Sequence, residues 1–351
     1  MIRFDRLHRG HQAGNVAVRL LLLAIVLVIA AAVAWGGMTY LHFTRTPLSV
    51  HAAGQTLEIA RGEGFNGIVR QLHDEELTTA SPLMWRALGM RLDVVDKLRA
   101  GEYALAPGMT PAVLLENMAD GRVLHRRITL VDGWTFAQVR QALAEAPRLK
   151  HELRGVDDAG VMAKLGETDR SPEGEFMPDT YDYVLGMTDL DILERAHKAM
   201  QAYLAREWAG RDSSIPLEDP CQALILASLV EKETAVRSEM PRIAGVFERR
   251  LRIGMKLDTD PSVIYGMGAR YTGNIRKSDL ETDTPYNTYM RAGLPPTPIA
   301  LPGRAAIHAV LHPAAGDALY FVAKGDGTHQ FSATLAEHNA AVRKYILGKH
   351  R

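Results

Sequence analysis

Two glutamates stand two positions apart at the end of a strongly apolar stretch, LASLVEKETAV, residues 226–236. A helix advances about 100° per residue, so Glu233 continues the inward stripe of Leu226 while Glu231 points about 140° away from it. A carboxyl group held among apolar neighbours has a raised pKa, which a general acid working near neutral pH requires. The pattern favours Glu233 as a proton donor. The alternative is an ordinary solvated helix end, with Glu231 as a structural partner of a Lys or Arg.

The elements that must position these side chains follow from apolar periodicity. A helix is predicted over 217–234 and another over 238–254, where Arg249 and Arg250 are interpreted as a solvated face. The next stretch, 255–303, is rich in Pro, Gly, Thr, Asp and Tyr and is predicted to be irregular, a property that usually accompanies function. A helix over 304–311, the strand LYFVA, a turn and a last helix from Leu335 complete the region.

Upstream, three segments share one order of features: a strand, a glycine turn, a polar cap and a short amphipathic helix. They are 57–77, 101–121 and 126–147. Thr110 followed by Pro111, and Thr135 in the third segment, are residues typical of helix starts. Such βα modules predict a compact recognition region over 50–147 in an α+β protein. The alternative is that similar units recur here without true internal repetition.

The first fifty residues contain Leu20–Leu41, 22 residues without a charge. At about 1.5 Å per residue this run reaches about 33 Å, enough to cross a hydrocarbon core of about 30 Å. Arg3, Arg6, Arg9 and Arg19 precede it against one Asp5, and Arg45 is the one Lys or Arg within the next fifteen residues. The positive-inside rule predicts a cytoplasmic tail over 1–19, a transmembrane helix over 20–41 and export of the remainder. A cleaved signal peptide is the competing interpretation, although the apolar run is longer than usual.

The overall composition excludes several classes of protein. Lys+Arg and Asp+Glu both number 41, and this neutral balance argues against a nucleic-acid-binding protein. Cys221 is the single cysteine, so no intrachain disulfide can form. The 13 histidines are scattered without HExxH or zinc-ligand spacing, so no metal site is predicted.

Several long motifs occur in order along the second half of the chain: EGEFMPDTYDY, LASLVEKETAV, VFERRLRIGMKLDTDPSVIYGMG, TPYNTYMRAGLPPTPI and YFVAKGDGTHQFSATLAEHN. With the N-terminal apolar run and the βα region, they resemble the endolytic murein transglycosylase, or YceG-like, family over nearly the whole chain. The 50–147 region matches in layout more than in letters.

The resemblance implies a single-pass inner-membrane protein with a LysM-like peptidoglycan-binding region over 50–147 and a lysozyme-like, mixed α/β catalytic domain over 151–351 in the periplasm. It implies an enzyme, a lyase that cuts glycan strands of peptidoglycan internally, with Glu233 as the acid. A lytic transglycosylase uses one carboxyl group where ordinary glycosidases use two. By this analogy Glu233 protonates the bridge oxygen between MurNAc and GlcNAc, and the MurNAc 6-hydroxyl then closes a 1,6-anhydro ring without water, metal or cofactor.

Six further residues are weaker candidates for contacting the sugars. Tyr286 and Asn287 could line the cleft, or serve turn and core packing. Asp258 and Asp260 could bind sugar hydroxyls, or form a capping turn before the next helix. His329 and Gln330 could reach the groove, or make strand-end hydrogen bonds. Tyr181 is predicted to belong to the core.

Two other functions remain open at this point. One is a hydrolytic muramidase that uses water, with Asp258 or Asp260 as the base. The other is a non-catalytic, membrane-tethered scaffold that binds peptidoglycan glycan strands and partners peptidoglycan synthases. The masses of the products separate the first from a lyase, and a Glu233→Gln substitution separates the second.

Overall fold

The computed structural model describes residues 10–350 and divides the chain into two compact units, one ending at Leu124 and the other starting at His125. Among these residues the strands form three two-stranded antiparallel ribbons, and helices provide most of the remaining regular structure. The architecture is therefore mixed α and β with one long apolar helix near the N-terminus.

The first unit is built around one ribbon. Its elements are α1 (Gly10–Arg45), β1 (Thr56–Ile59), α2 (Phe65–Asp74), α3 (Pro82–Arg91), β2 (Gly101–Ala104) and α4 (Pro111–Asp120). Strands β1 and β2 pair antiparallel, with the buried Leu57 opposite the buried Tyr103. The first two predicted modules are thus not separate repeats, because β1 of the first pairs with β2 of the second and α3 lies between them; β1, α2, α3 and β2 form one β–α–α–β unit, and α4 follows it. As predicted, Thr110 is the N-cap of α4 and accepts a hydrogen bond from the amide of Val113.

Helix α1 contains the predicted span 20–41. The stretch Val18–Arg45 is long and apolar enough to cross a membrane, and its most apolar window buries nothing against the protein, which is compatible with an anchor or a signal sequence. Its end is different, because Phe43 is buried and its ring meets that of Trp85 edge-on at 5.3 Å. Arg3, Arg6 and Arg9, three of the residues on which the prediction of a cytoplasmic tail rests, lie outside the described residues.

The second unit holds the remaining elements. They are β3 (Arg126–Thr129), α5 (Phe136–Glu145), α6 (Asp158–Lys164), β4 (Thr180–Tyr183), α7 (Asp189–Ala209), α8 (Pro220–Glu233), α9 (Met240–Arg252), α10 (Asp260–Met267), α11 (Lys277–Glu281), α12 (Arg304–Leu311), β5 (Tyr320–Ala323), β6 (His329–Ser332) and α13 (Leu335–Tyr345). The helix predicted over 304–311 has these bounds, and the last helix begins at Leu335 as expected.

The third predicted module, 126–147, belongs to the second unit rather than to the first. Strand β3 pairs with β4, placing Ile128 opposite Tyr181, and both side chains join one apolar cluster with Phe136 and Val139 of α5. The compact units therefore divide after Leu124, earlier than the predicted boundary in 147–151. Tyr181 is buried, as predicted, and its hydroxyl donates to the carbonyl of Met177.

Helix α8 is the central element of the second unit's largest core. Every residue from Ala223 to Val230 is buried, and the helix packs against α9 and α12. Its one buried hydroxyl, Ser228, donates to the carbonyl of Ile225 and accepts from the amide of Ile299, so its burial leaves no polar group unpaired. Glu231 and Glu233 therefore emerge from a rigid, fully packed helix.

The stretch 255–303 is less irregular than predicted. It contains α10 and the single-turn α11, and the rest consists of turns between buried anchors such as Leu257 and Ile299. Helix α10 is not predicted from the sequence, because the surrounding stretch is rich in Pro and Gly. This helix is only eight residues long and begins with Asp260-Pro261.

Candidate active site

A cleft of about 510 Å³ opens beside the end of α8. Its walls come from α8, α9, the start of α10, the β5–β6 ribbon and α13. Its lining includes Glu233, Arg250, Asp258, Asp260, Tyr289, Tyr320, His329 and His338. A helix end facing a β ribbon thus places one carboxyl group against aromatic and charged side chains.

Glu233 is the last residue of α8 and is half-buried in this cleft. Desolvation by the surrounding protein raises the pKa of its carboxyl group to about 7, and the neighbouring charge of Asp260 adds to the rise. A hydrogen bond from the Thr259 hydroxyl to Oε1, and the more distant charge of Arg250, lower the pKa and partly offset this rise. At neutral pH a substantial fraction of Glu233 therefore carries its proton.

Thr259 is itself held in place. It is buried, its amide donates to the Thr288 hydroxyl at 3.0 Å, and its carbonyl accepts from the Ser262 hydroxyl at 2.7 Å. The Ser262 and Thr288 hydroxyls lie 2.9 Å apart and share a hydrogen bond. This buried network fixes the direction from which the threonine hydroxyl reaches Glu233.

Arg249 and Arg250 do not form the predicted solvated face, and that interpretation is wrong. The side chain of Arg250 is 8% exposed; its Nε donates to the carbonyl of Leu319 and its Nη1 to that of Leu257, both at 2.7 Å. Arg249 donates from Nε to the carbonyl of Ala318 at 2.8 Å. Both guanidinium groups tie α9 to the backbone before β5, because a buried Arg needs acceptors in place of water.

Asp258 and Asp260 both reach the cleft. Asp258 adopts a left-handed backbone with φ of 50°, and its carboxylate lies 3.6 Å from Nη1 of Arg250. Burial raises the pKa of Asp258 more than Arg250 lowers it. Asp260 opens α10, so the predicted turn before a helix is real, and its carboxylate accepts a 2.7 Å hydrogen bond from the Tyr289 hydroxyl. The structural and cleft-lining interpretations are compatible for this pair.

Two histidines line the opposite wall. His329 starts β6, and Nδ1 of its ring lies 2.8 Å from the carboxylate of Glu239, which also accepts from the His329 amide. His338 stacks on Tyr320 with ring centroids 5.2 Å apart, and burial lowers the pKa of its imidazole. His329 is therefore both a cleft residue and a strand-end hydrogen-bonding residue.

Comparison with known proteins gives the family. The profile of the YceG-like family matches residues 57–344. This chain belongs to the YceG-like family. It is similar to an endolytic murein transglycosylase of Bacillus subtilis, with 33% identity across 72% of this chain and 74% of that protein. An endolytic murein transglycosylase of Streptococcus pneumoniae is 29% identical across 72% of this chain and 51% of its own length.

A solved structure supports the same assignment. The 2.6 Å crystal structure of a YceG-like protein from Listeria monocytogenes superposes with a TM-score of 0.52 at 28% identity. The match covers 82% of this chain and 99% of the Listeria chain. The fold described above is therefore a fold of YceG-like proteins.

Three of the predicted sugar-contacting residues lie outside the Glu233 cleft of this YceG-like chain. Asn287 is 1% exposed, and its Nδ2 donates to the carbonyl of Thr282 at 2.7 Å, which is the turn role weighed as its alternative. The Tyr286 hydroxyl lies 2.9 Å from that of Thr297, and its ring lines a different cavity. Gln330 donates to the carbonyl of Phe331 and lies on the other face of the ribbon. Neighbours in sequence diverge here because side chains in a strand or tight turn point to opposite sides.

Glu231 points away from the cleft, as the helical phase predicts. Its carboxylate accepts a 3.0 Å hydrogen bond from the amide of Gly303, the N-cap of α12, rather than pairing with the predicted Lys or Arg. Burial raises its pKa, and the hydrogen bond from Gly303 partly offsets that effect. The positive end of the α12 dipole suits a carboxylate in this position.

Several cleft residues escaped prediction. Thr259 lies between Asp258 and Asp260 in DTDP, and no sequence spacing distinguishes a threonine that donates a hydrogen bond to a cleft carboxyl group. Arg250 and His338 reach the cleft from elements far apart in sequence, and no local sequence pattern indicates that they meet there.

Outside the cleft lining, the described residues also include one group with metal-compatible spacing, in which ligand atoms of Glu207, His308 and His312 lie within 4.8 Å of one another.

Proposed function

We propose that this chain is a membrane-anchored endolytic lytic transglycosylase that cleaves the MurNAc–GlcNAc β-1,4 bond within peptidoglycan strands and leaves 1,6-anhydroMurNAc ends. The observation that carries the proposal is Glu233, a desolvated carboxyl group with a pKa of about 7 in a polar and aromatic cleft. Relatives named endolytic murein transglycosylase support the reaction class. The helix α1 supports an inner-membrane anchor with the second unit in the periplasm.

The chemistry needs one carboxyl group that acts twice. Protonated Glu233 gives its proton to the bridge oxygen while the bond from that oxygen to the MurNAc anomeric carbon breaks. The Glu233 carboxylate then takes the proton of the MurNAc 6-hydroxyl, whose oxygen bonds to the same carbon. Atoms balance without water, and Glu233 ends protonated. Because Thr259 holds Oε1, the other carboxylate oxygen is available for the proton transfers.

The developing positive charge needs stabilisation that water cannot supply in a desolvated cleft. The carboxylates of Asp258 and Asp260 lie in the lining and bring negative charge to it. Their own positions are fixed by Arg250 and by the Tyr289 hydroxyl, so they require no reorganisation during the reaction. Their role here is electrostatic rather than that of a base for water.

The first unit supports a peptidoglycan-binding role. Its β–α–α–β unit with an antiparallel ribbon is the arrangement expected of a LysM-like module, and its core is separate from those of the second unit. The second unit, with a carboxyl group at the end of a buried helix opposite a ribbon, supports the lysozyme-like interpretation.

The direct test is digestion of purified glycan strands by full-length protein in detergent, with product masses. We expect anhydro ends from the wild type, and a loss of about 10²–10⁴-fold in rate for Glu233→Gln. Glu145→Gln, an exposed glutamate on α5, is the matched control and should cleave normally. Products heavier by one water would contradict the lyase, and full activity of Glu233→Gln would contradict the assignment of the acid.

A further inference from the structure

A second cavity of about 690 Å³ lies in the same unit as the Glu233 cleft. Three tyrosines, Tyr265, Tyr271 and Tyr286, line it together with the acid Glu173. The volume is within the range of small-molecule sites, about 300–1,000 Å³. Tyrosine rings present flat apolar faces with a polar tip, a combination suited to sugar rings, which have apolar faces and hydroxyl edges.

Two of the tyrosines are held rigidly. The rings of Tyr265 and Tyr286 meet edge-on with centroids 4.8 Å apart. At their outer ends, the Tyr265 hydroxyl donates to Oε2 of Glu173 at 3.1 Å, and the Tyr286 hydroxyl lies 2.9 Å from that of Thr297. A ring already fixed in place loses little conformational entropy when a ligand stacks on it.

Glu173 supplies a polar group at the wall of this cavity. The residue is 5% exposed, and its Oε1 accepts a 2.9 Å hydrogen bond from the amide of Phe136 at the start of α5. Burial raises the pKa of Glu173 to about 7, and the hydrogen bonds from Phe136 and Tyr265 partly offset the rise. The charge of Asp158 raises it further and that of Lys232 lowers it. Neither the acid chemistry at Glu233 nor the fold around α8 uses this carboxyl group.

Helix α10 connects the two cavities. Asp260, its first residue, lines the Glu233 cleft, while Tyr265 and the residue after its end, Gly268, line the second cavity. At about 1.5 Å per residue, the rise from Asp260 to Gly268 is about 12 Å, a distance that a few linked sugars cover. Lys232, the neighbour of Glu233 in sequence, also acts electrostatically on Glu173.

We propose that the cavity of Tyr265, Tyr271, Tyr286 and Glu173 binds N-acetyl sugars of the glycan strand whose scissile bond lies at Glu233. The sugars stack on the tyrosine rings, and Glu173 hydrogen-bonds a hydroxyl or acetamide group. An enzyme that cuts inside strands benefits from binding the strand at a second point, at a distance from the scissile bond. A strand end that reaches only one of the two points then binds less tightly. This inference rests on the proposed function.

Binding of chitohexaose, a chain of β-1,4-linked N-acetyl sugars, tests the proposal. The protein is full-length Glu233→Gln in detergent, so cleavage cannot interfere, and the dissociation constant is measured by calorimetry. Adding Tyr271→Ala should weaken binding about 10-fold or more, because the removed ring is a stacking surface. Tyr345→Ala, a partly exposed tyrosine outside both cavities, should leave the constant unchanged.

A second variant distinguishes a loss of binding from a folding defect. Tyr265→Phe keeps the ring and removes only the hydroxyl that reaches Glu173, and it should weaken binding by a smaller factor in a protein that circular dichroism shows to be folded. Unchanged affinity in both Tyr271→Ala and Tyr265→Phe would overturn the proposal. If the wild type binds chitohexaose in this tyrosine-dependent way and never cleaves glycan, the proposed function fails while the cavity's role stands.

Discussion

At the scale of single residues, the proposed chemistry depends on the desolvation of one carboxyl group, that of Glu233. Glu233 has a pKa of about 7 because burial outweighs the hydrogen bond from Thr259. The hydroxyl favours the ionised form, so it sets how far the pKa rises, and it also fixes the carboxyl group in one orientation. Acid strength and geometry are therefore controlled by the same side chain.

This balance predicts the pH dependence. A general acid must be protonated, so cleavage by the wild type should decline as pH rises through about 7. Thr259→Val removes the hydrogen bond that lowers the pKa of Glu233 and should move this decline to higher pH. The measurement is kcat/KM against pH, and Thr180→Val on the exposed side of β4 is the matched control. A decline that moves to lower pH in Thr259→Val would contradict the account.

A second buried carboxyl group predicts a stability effect. Glu248 on α9 is 1% exposed, neither of its oxygens accepts a hydrogen bond among the described residues, and burial raises its pKa to about 8. Since the folded pKa lies above the ordinary value, the folded state binds the proton more tightly, and stability should fall as pH rises from about 5 to about 8. Glu248→Gln should weaken this dependence.

The melting temperature of each protein at pH 5 and pH 8 measures the effect. We expect Glu248→Gln to raise the melting temperature most at pH 8, by about 2–4 °C for each kcal/mol of added stability in a domain of this size. Glu194→Gln, on the exposed face of α7, serves as the control. An equal shift at both pH values would show that titration of Glu248 is not the cause.

At the scale of elements, α8 separates two glutamates that are almost adjacent in sequence. Because successive residues turn by about 100°, Glu233 enters the cleft and Glu231 meets the start of α12 at Gly303. The packed helix gives each carboxyl group a fixed direction. One lines the cleft and the other joins two core helices.

Substitution of Glu231 should therefore affect folding more than chemistry. Glu231→Ala leaves the buried amide of Gly303 without its acceptor and should lower the free energy of unfolding by about 1–3 kcal/mol. Denaturant titration measures this loss, and glycan digestion below the transition should retain more activity than Glu233→Gln. Loss of activity equal to that of Glu233→Gln in a folded protein would assign Glu231 to the reaction.

At the scale of the whole molecule, the chain combines an apolar helix with two separately packed units. The end of α1 is part of the first unit, because Phe43 is buried in its core and the partly buried Tyr40 packs against that core. A purely lipid-facing helix would leave these side chains outside that core. The apolar helix α1 and the first unit thus share residues rather than being joined by a free linker.

This continuity predicts where a soluble form can begin. A protein of residues 40–351 retains Phe43, whereas Phe43→Ala in the same protein removes the ring that packs on Trp85 and should destabilise the first unit by about 3–5 kcal/mol. Tyr40→Ala, whose ring is only partly buried, is the milder control. Identical unfolding curves for Phe43→Ala and the parent would show that α1 ends before the folded unit.

Much of this molecule can be predicted from local sequence. The bounds of α12, the caps Thr110 and Thr135 and the divergence of Glu231 from Glu233 all follow from interactions between residues a few positions apart. The apolar run within α1 is equally local, because length and hydropathy alone make a helix able to cross a membrane. The motifs around Glu233 also suffice to predict the YceG-like family.

Only the tertiary structure decided which residues share the cleft. Arg250 reads as a surface charge in sequence, yet backbone carbonyls from other segments surround it, and β3, the start of the third predicted module, pairs with β4 some fifty residues later rather than joining the first unit. Likewise, Asn287 faces a turn and Tyr286 the second cavity, while the neighbouring Tyr289 reaches Asp260. The physical reason is that burial and hydrogen-bond partners are supplied by chain segments distant in sequence, so no local pattern can specify them.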